Sequence, residues 1–508
     1  MIDRRAARDY VAILDIGSNA VRLVIYDGFN RAPVRIHMER RICNLGGDLS
    51  KTGRLSPEGV DKALNALRRF SGLLEAMRIK NIHAVATAAL RDAADGAEFI
   101  ARVQKEFGLT IRVIDGEAEA HLSAAGVMMN GVDPDTGGIA AKCLIGDYGG
   151  GSLELIAMQN GVMTHKTSLP LGSHRLQALK ERNARIETID RALDGVDFLK
   201  DMAGVDFYAL GGAWRSMAKA HMHMVRHPLY VLDHYAVDGD KAMDFAGLIA
   251  RQSHASLEKT VGMSKKRLAD MNVAALTMER LFARIQPQKL IFSATGLREG
   301  LLYEQLKPAV REQDPLMASC RKIAAKISRF DDMYSFNVLW RWMTPLFAGQ
   351  EGYFLRLLQA SCYLSDLSWF EHEDYQAEHA FERVLVLPLY GADHPARVFL
   401  ALSQYVRYRG YLRRYPRAGE EDVTLGARRI LAPVDVDIAV IVGLAQRIGY
   451  LLTGGALTLL NQTELAVDDE CVTLHLRGQA RQLDADSIGD ALGDLAQALN
   501  RKARMVVE

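Results

Sequence analysis

Two short stretches of this sequence combine an aspartate, a glycine turn and small side chains that can donate hydrogen bonds. Leu14-Asp15-Ile16-Gly17-Ser18-Asn19 runs into Val21-Arg22-Leu23-Val24, and Gly146-Asp147-Tyr148-Gly149-Gly150-Gly151-Ser152 runs into Leu153-Glu154-Leu155-Ile156. A glycine turn presents successive backbone N–H groups, and such nests hold phosphate oxygens. Gly149, Gly150 and Gly151 also let a bulky anion approach the main chain, while Ser18, Asn19 and Ser152 add side-chain donors. Asp15, Asp147 and Glu154 can only accept, so they repel phosphate unless a cation lies between. Mg2+ suits that place, because it takes one or two carboxylates and keeps waters and phosphate oxygens. A single turn of this kind is explained by hairpin geometry alone. Two matched turns, each with an aspartate at the strand end, point to phosphate binding. No G-x-x-x-x-G-K-[ST] occurs, and the glycine turn leads into a strand rather than a helix, which excludes a P-loop and a dinucleotide fold.

The elements that must carry these turns alternate between strand and helix. Val11–Leu14, Arg22–Tyr26, Asn81–Thr87 and Leu109–Ile114 read as strands; Ser56–Arg78, Ala97–Phe107 and Glu117–Met129 read as helices. Ser56 can cap its helix, with Pro57 in the first turn. A turn-rich break follows at Pro134, Asp135, Gly137 and Gly138, and the pattern restarts with strands at Cys143–Gly146 and Leu153–Met158. The two aspartates lie 132 positions apart (147 less 15), the length of a domain. A self-similar unit of that size predicts a duplicated α/β domain with a cleft between the copies. Beyond about residue 312 the texture turns helical until about 452, and the last stretch alternates in Glu470–Leu476 before a terminal helix from Asp486 to Asn500. The expected division is therefore 1–130 and 131–312 for the two α/β copies, 313–452 for a helical domain and 453–508 for a small α+β domain.

Composition narrows the classes further. The chain has 508 residues, 49% hydrophobic and 25% charged, which is ordinary for a globular protein. Lys plus Arg number 63 and Asp plus Glu 62, so bulk charge gives no case for specific nucleic-acid binding. The five cysteines include no C-x-x-C pair and fit a reducing, cytoplasmic setting. The apolar stretch Ile438–Ala445 is closed by Gln446 and Arg447, short of the ~20 residues a membrane span needs, so no membrane partner is expected.

The two turn motifs resemble the phosphate motifs of the exopolyphosphatase / guanosine pentaphosphate phosphohydrolase family. That family lies in the fold superfamily of actins, sugar kinases and heat-shock chaperone ATPases. Three further stretches agree: Ala86-Thr87-Ala88-Ala89-Leu90-Arg91, Asp115-Gly116-Glu117-Ala118-Glu119-Ala120, and Ser293-Ala294-Thr295-Gly296-Leu297-Arg298-Glu299-Gly300. The resemblance implies a duplicated ribonuclease-H-like α/β core over residues ~11–305. It implies Arg91 as a phosphate ligand, and Glu119 rather than Glu117 as the general base. Arg22 and Arg298 are weaker candidates. A carboxylate among phosphates has its pKa raised toward the work of activating water. The resemblance further implies Mg2+, with a monovalent cation such as K+, a homodimer, and inorganic polyphosphate or guanosine penta- or tetraphosphate as partner. A non-catalytic sensor of these anions is the rival from another class.

Three regions depart from that pattern or lie beyond it. Tyr208-Ala209-Leu210-Gly211-Gly212-Ala213-Trp214-Arg215 stands where many members carry hydroxyl residues in a glycine turn, which puts substrate contacts there in doubt. His221, His223 and His227 follow without carboxylate spacing for a metal. The helical region resembles an HD phosphohydrolase domain, but Ser365-Asp366 stands in place of His-Asp, with His372 and His379 nearby, so a degenerate metal site is expected. Finally, Arg407, Arg409, Arg413, Arg414, Arg417, Arg428 and Arg429 interleave with Tyr405, Tyr408, Tyr411 and Tyr415. This stretch is either a polyanion track or a solvated face paired with Glu420, Glu421 and Asp422.

Overall fold

The computed structural model describes residues 9–131, 139–252, 265–330, 333–350, 352–410, 422–483 and 485–508. They form two compact units, one from 9–131 and 139–312, the other from 313–508.

The first unit holds two sheets of the same plan. Strands β1 (Val11–Ile16), β2 (Ala20–Tyr26), β3 (Arg35–Ile42), β4 (Asn81–Ala86) and β5 (Ile111–Val113) lie in the order β3-β2-β1-β4-β5. Strands β6 (Lys142–Tyr148), β7 (Leu153–Gln159), β8 (Val162–Leu169), β9 (Asp206–Leu210), β10 (Tyr235–Asp238) and β11 (Lys289–Phe292) lie in the order β10-β11-β9-β6-β7-β8. In each sheet the first three strands are antiparallel neighbours, and the first pairs in parallel with the fourth. Strand β11 takes the place of β5, and β10 adds an antiparallel edge. The central strands read as apolar runs because helices cover both faces: β1 is buried at every position.

The edge strands β3 and β8 are not visible in the hydrophobic pattern. Arg35-Ile36-His37-Met38-Glu39-Arg40-Arg41-Ile42 is exposed at most positions and carries charge, as an edge strand that resists further pairing does. Another expectation changes at the helix Pro57–Ala76, where Ser56 occupies the cap but its hydroxyl makes no capping bond. Proline in the first turn and the apolar stripe suffice there.

One crossing positions a helix that matters below. The helix Gly116–Met129 is capped by Asp115, whose side chain accepts from the Ala118 N–H at 2.7 Å. It crosses the helix Leu297–Glu304 at glycines: a Cβ on Gly300 would overlap the Leu122 carbonyl, and one on Gly126 would overlap the Gly296 carbonyl. The Tyr26 hydroxyl donates to Glu299 at 2.5 Å and ties β2 to the same crossing.

The second unit packs helices and a terminal sheet around one core. Strands β12 (Thr463–Val467), β13 (Cys471–Leu476) and β14 (Lys502–Val507) form that sheet. Leu465, Leu474 and Leu492 share the core with Leu339, Leu402 and Leu444. Pro433–Thr453 is long and apolar enough to cross a membrane by length and composition, which corrects the shorter apolar stretch read from sequence. More than half of it is buried in the unit, as in a core helix.

The glycine crossing yields a stability test. Gly300→Ala forces backbone apart and is expected to lower unfolding free energy by about 1–3 kcal/mol, the usual effect of overpacking. Gly489→Ala in the helix Asp486–Ala498 meets nothing within 4 Å and should stabilise by up to ~1 kcal/mol. Urea denaturation of both variants measures the contrast.

Candidate active site

Strand register places the acidic residues. In the first hairpin Asp15 faces Arg22 across β1 and β2; in the second Asp147 faces Glu154 across β6 and β7. Each partner lies seven residues after its aspartate, so the two copies offer the same position with opposite charge. Asp15 is held by Arg22 at 2.7 Å. Asp147 accepts from the Ser123 hydroxyl at 2.6 Å, and Glu154 from the Ser168 hydroxyl at 2.8 Å.

The two glycine turns face each other closely. A Cβ on Gly150 would stand 3.4 Å from Ser18 Cβ, and one on Gly151 would stand 2.9 Å from the Ala88 Cβ. Within the second turn the Gly149 N–H bonds back to the Ser152 carbonyl at 2.9 Å. The N–H groups of Gly150, Gly151 and Ser152 find no acceptor among the described residues. This is the donor arrangement a phosphate nest requires. Asn19 holds the chain after β3 through its carbonyl, which accepts from the Cys43 and Asn44 N–H groups, and its Oδ1 is buried without a partner.

Glu119 and Ser123, four residues apart on one face of the Gly116–Met129 helix, both turn toward this place. The Glu119 carboxylate lies 3.7 Å from the Arg91 guanidinium, and its Oε2 is buried with no hydrogen-bond partner. Burial, then repulsion by Glu154 and Asp147, hold its pKa well above the usual carboxylate range, against the pull of Arg91. Burial and the Asp147 charge push Glu154 up to about 7 despite its serine partners. Burial raises Asp147 as well, although Ser123 and Arg215 oppose it. Glu117, by contrast, is 73% exposed and pairs with Lys166. The helix therefore turns one glutamate inward and the other outward.

The structure thus brings together Asp15, Ser18, Asn19, Arg91, Glu119, Asp147, Gly149–Ser152 and Glu154. Sequence reasoning missed Ser123, Ser168 and Arg175, because their roles come from contacts distant in sequence, and gave Arg215 and Asp92 no place in the site. Arg298 feels the charges of Glu299, Asp15 and Asp147, which outweigh burial and raise its pKa.

The remaining motifs resolve differently. Trp214 is fully buried, stacks on Tyr148 at 5.2 Å and donates to the Ala274 carbonyl, so it is core. Gly211, at φ 99°, is required there because a Cβ would overlap Tyr148. His221 meets the Tyr235 hydroxyl at 2.6 Å, and His223 pairs with Tyr230. In the second unit Asp366 is buried and held by Arg329 at 2.7 Å, with Arg407 3.8 Å away. Ser365 bonds to Tyr450, and His379 pairs with Glu371. Arg407 is not part of an exposed track: it lies buried between the Tyr408 and Tyr450 rings, at 3.9 and 3.7 Å. Tyr405 is buried and Arg428 pairs with Asp422. Tyr411, Arg413, Arg414, Tyr415, Arg417, Glu420 and Glu421 lie outside the described residues.

Among the described residues no three His, Cys, Asp or Glu side chains form a metal cage. Mg2+ requires none, and the all-oxygen pair of Asp147 and Glu154, whose carboxyl pKa values burial raises, fits a hard cation.

Comparison with known proteins agrees with the fold. The model of the Ppx/GppA phosphatase family matches residues 24–309, and that of the exopolyphosphatase C-terminal region matches residues 350–506. An exopolyphosphatase structure from Cytophaga hutchinsonii is similar at 24% identity, covering 58% of this chain and 96% of its own, with a TM-score of 0.52. An exopolyphosphatase-like protein matches at 24% identity over 58% of this chain and 97% of its own, also with a TM-score of 0.52. Both likenesses concern the fold: the first unit is a duplicated ribonuclease-H-like α/β core.

The raised carboxylates give a pH test. The folded state holds protons on Glu154 that the unfolded chain releases near the ordinary carboxylate pKa. The stabilisation from this group is present below about pH 4.5 and lost as pH rises through about 7. In EDTA, Glu154→Gln should therefore be more stable than wild type at pH 8, by on the order of 3 kcal/mol, with the gap narrowing toward pH 5. Thermal melts across that range check it; a gap independent of pH would contradict the assignment.

Proposed function

Since the chain belongs to the Ppx/GppA phosphatase family, we propose that it removes terminal orthophosphate from inorganic polyphosphate by water attack. The observation that carries this reading is the meeting of the Gly149–Ser152 donor turn with the inward Glu119 carboxylate and Arg91. The match of residues 350–506 to the exopolyphosphatase C-terminal model is in keeping with polyphosphate as the substrate.

In this reading the N–H groups of Gly150, Gly151 and Ser152, with Ser18 and Asn19, hold the oxygens of the terminal phosphoryl group. Arg91 adds a charge-assisted contact. Glu119 orients a water and takes its proton as the new P–O bond forms. The bridging P–O bond breaks, and the shortened chain leaves as the anion. The raised pKa of Glu119 makes it a stronger base than an ordinary carboxylate. Its buried Oε2 has an acceptor position to spare for the water proton. Asp147 and Glu154 would hold Mg2+, while Asp15 is engaged by Arg22. When bound, the ion neutralises phosphate charge and polarises the group under attack.

Three tests follow from these roles. Phosphate release from long polyphosphate, guanosine pentaphosphate and ATP, measured side by side with Mg2+, should favour long polyphosphate; preference for guanosine pentaphosphate would replace the substrate and leave the chemistry in place. Glu119→Gln should lose ~10²–10⁴-fold in turnover, whereas Glu117→Gln should stay near wild type. A Glu119→Gln variant retaining more than about a tenth of wild-type rate would remove the base assignment, since general-base catalysis is worth more than that. Asp147→Asn should raise the Mg2+ concentration needed for half-maximal rate, and an unchanged titration would make this carboxylate structural.

A further inference from the structure

The back of the glycine turn is held at three consecutive carbonyls. The Ser173 N–H donates to the Gly149 carbonyl at 3.1 Å, and the His174 N–H to the Gly150 carbonyl at 2.9 Å. Arg175 Nε donates to the Gly151 carbonyl at 2.9 Å. In a trans peptide the carbonyl and the next N–H point in opposite directions. Fixing those three carbonyls therefore aims the Gly150, Gly151 and Ser152 N–H groups to the other side. Gly172 lets the two segments touch, because a Cβ there would overlap the Gly151 backbone.

Arg175 reaches further than its neighbours. Its Nη2 donates to Asp92 Oδ2 at 2.7 Å. The other oxygen of Asp92 accepts from Arg91 Nε at 3.2 Å, and Arg91 Nη1 lies 3.7 Å from Glu119. One carboxylate thus joins the arginine that follows β4 of the first sheet to the arginine that backs the glycine turn of the second. The two bonds use different oxygens of Asp92, so neither arginine displaces the other.

We propose that Arg175 and Asp92 are a positioning pair that fixes the spacing between Arg91 and the glycine turn, so that both grip the same terminal phosphoryl group. This rests on the phosphate-binding reading of the cleft. Arg175 and Asp92 side chains are 43% and 30% exposed. An ion pair that open to water adds little to stability. Its effect is expected on anion affinity and not on melting.

The test is calorimetric titration of the full chain with orthophosphate and with imidodiphosphate, alongside thermal melts. Asp92→Asn, Arg175→Lys and the double variant are compared with wild type. Lysine keeps the charge but its single ammonium lacks the fork that spans Gly151 and Asp92. Each single change should weaken anion binding ~10-fold, and the double change should do no more than either, since coupled residues act as one. Melting temperatures should stay with wild type. Single variants within twofold of wild type, effects that multiply to ~100-fold in the double variant, or losses that track a fall in melting temperature would each overturn the pair's role. A wild-type chain that binds neither anion would overturn the cleft reading and this inference together. A wild type that binds, with unaffected variants, overturns only the pair.

Discussion

Burial of three carboxyl groups, Glu119, Asp147 and Glu154, in one cleft is the constraint around which the first unit is built. Glu154 is 1% exposed, and the other two are recessed beside it. Left alone, these groups would neutralise or drive the cleft open. Ser123, Ser168 and Arg91 supply the donors and charge that hold them in place. The register of two duplicated hairpins decides where the charge falls. Position for position, the first copy places a cation, Arg22, where the second places an anion, Glu154. Two hairpins of the same register thus make an asymmetric cleft, with Asp15 satisfied within its own hairpin and Asp147 left to outside partners. Groups whose pKa values are displaced this far concentrate at functional sites, because stability alone would not retain them.

Backbone packing makes the arrangement rigid. The helix bearing Glu119 meets the Leu297–Glu304 helix at Gly126 and Gly300, where side chains would force the pair apart. Gly116 lets the same helix start against Ser168, the residue that also bonds to Glu154. The turn Gly149–Ser152 is fixed from behind by the segment 173–175. The Glu119 helix and the glycine turn are therefore held by close main-chain contacts, and the tolerance of the site is set by packing more than by ion pairing.

Much of this was legible in the sequence where local chemistry and position coincide. The Asp15 and Asp147 turns follow from residue types at short spacing, and the duplicated strand plan from their recurrence 132 positions apart; the choice of Glu119 over Glu117 comes from the family resemblance. The edge strands β3 and β8 were not legible, since β3 carries charge on both faces and β8 is mostly polar, so neither shows a hydrophobic pattern. Arg175 and Asp92 were not legible either. They lie 83 residues apart, and only the folded chain brings them together. Arg407 misled for the opposite reason: a run of arginines and tyrosines reads as a surface track, yet a guanidinium stacked between two tyrosine rings and facing Asp366 is a stable buried arrangement.

The proposed reaction sends water to the terminal phosphorus of a polyphosphate held in this cleft. Hydrolysis of long polyphosphate in water enriched in oxygen-18, followed by mass analysis of the released orthophosphate and the residual chains, tests it most directly. Attack at the terminal phosphorus leaves one solvent-derived oxygen in each released orthophosphate and none in the residual chains. Label in the residual chains, or release of fragments longer than orthophosphate as the first products, would contradict it.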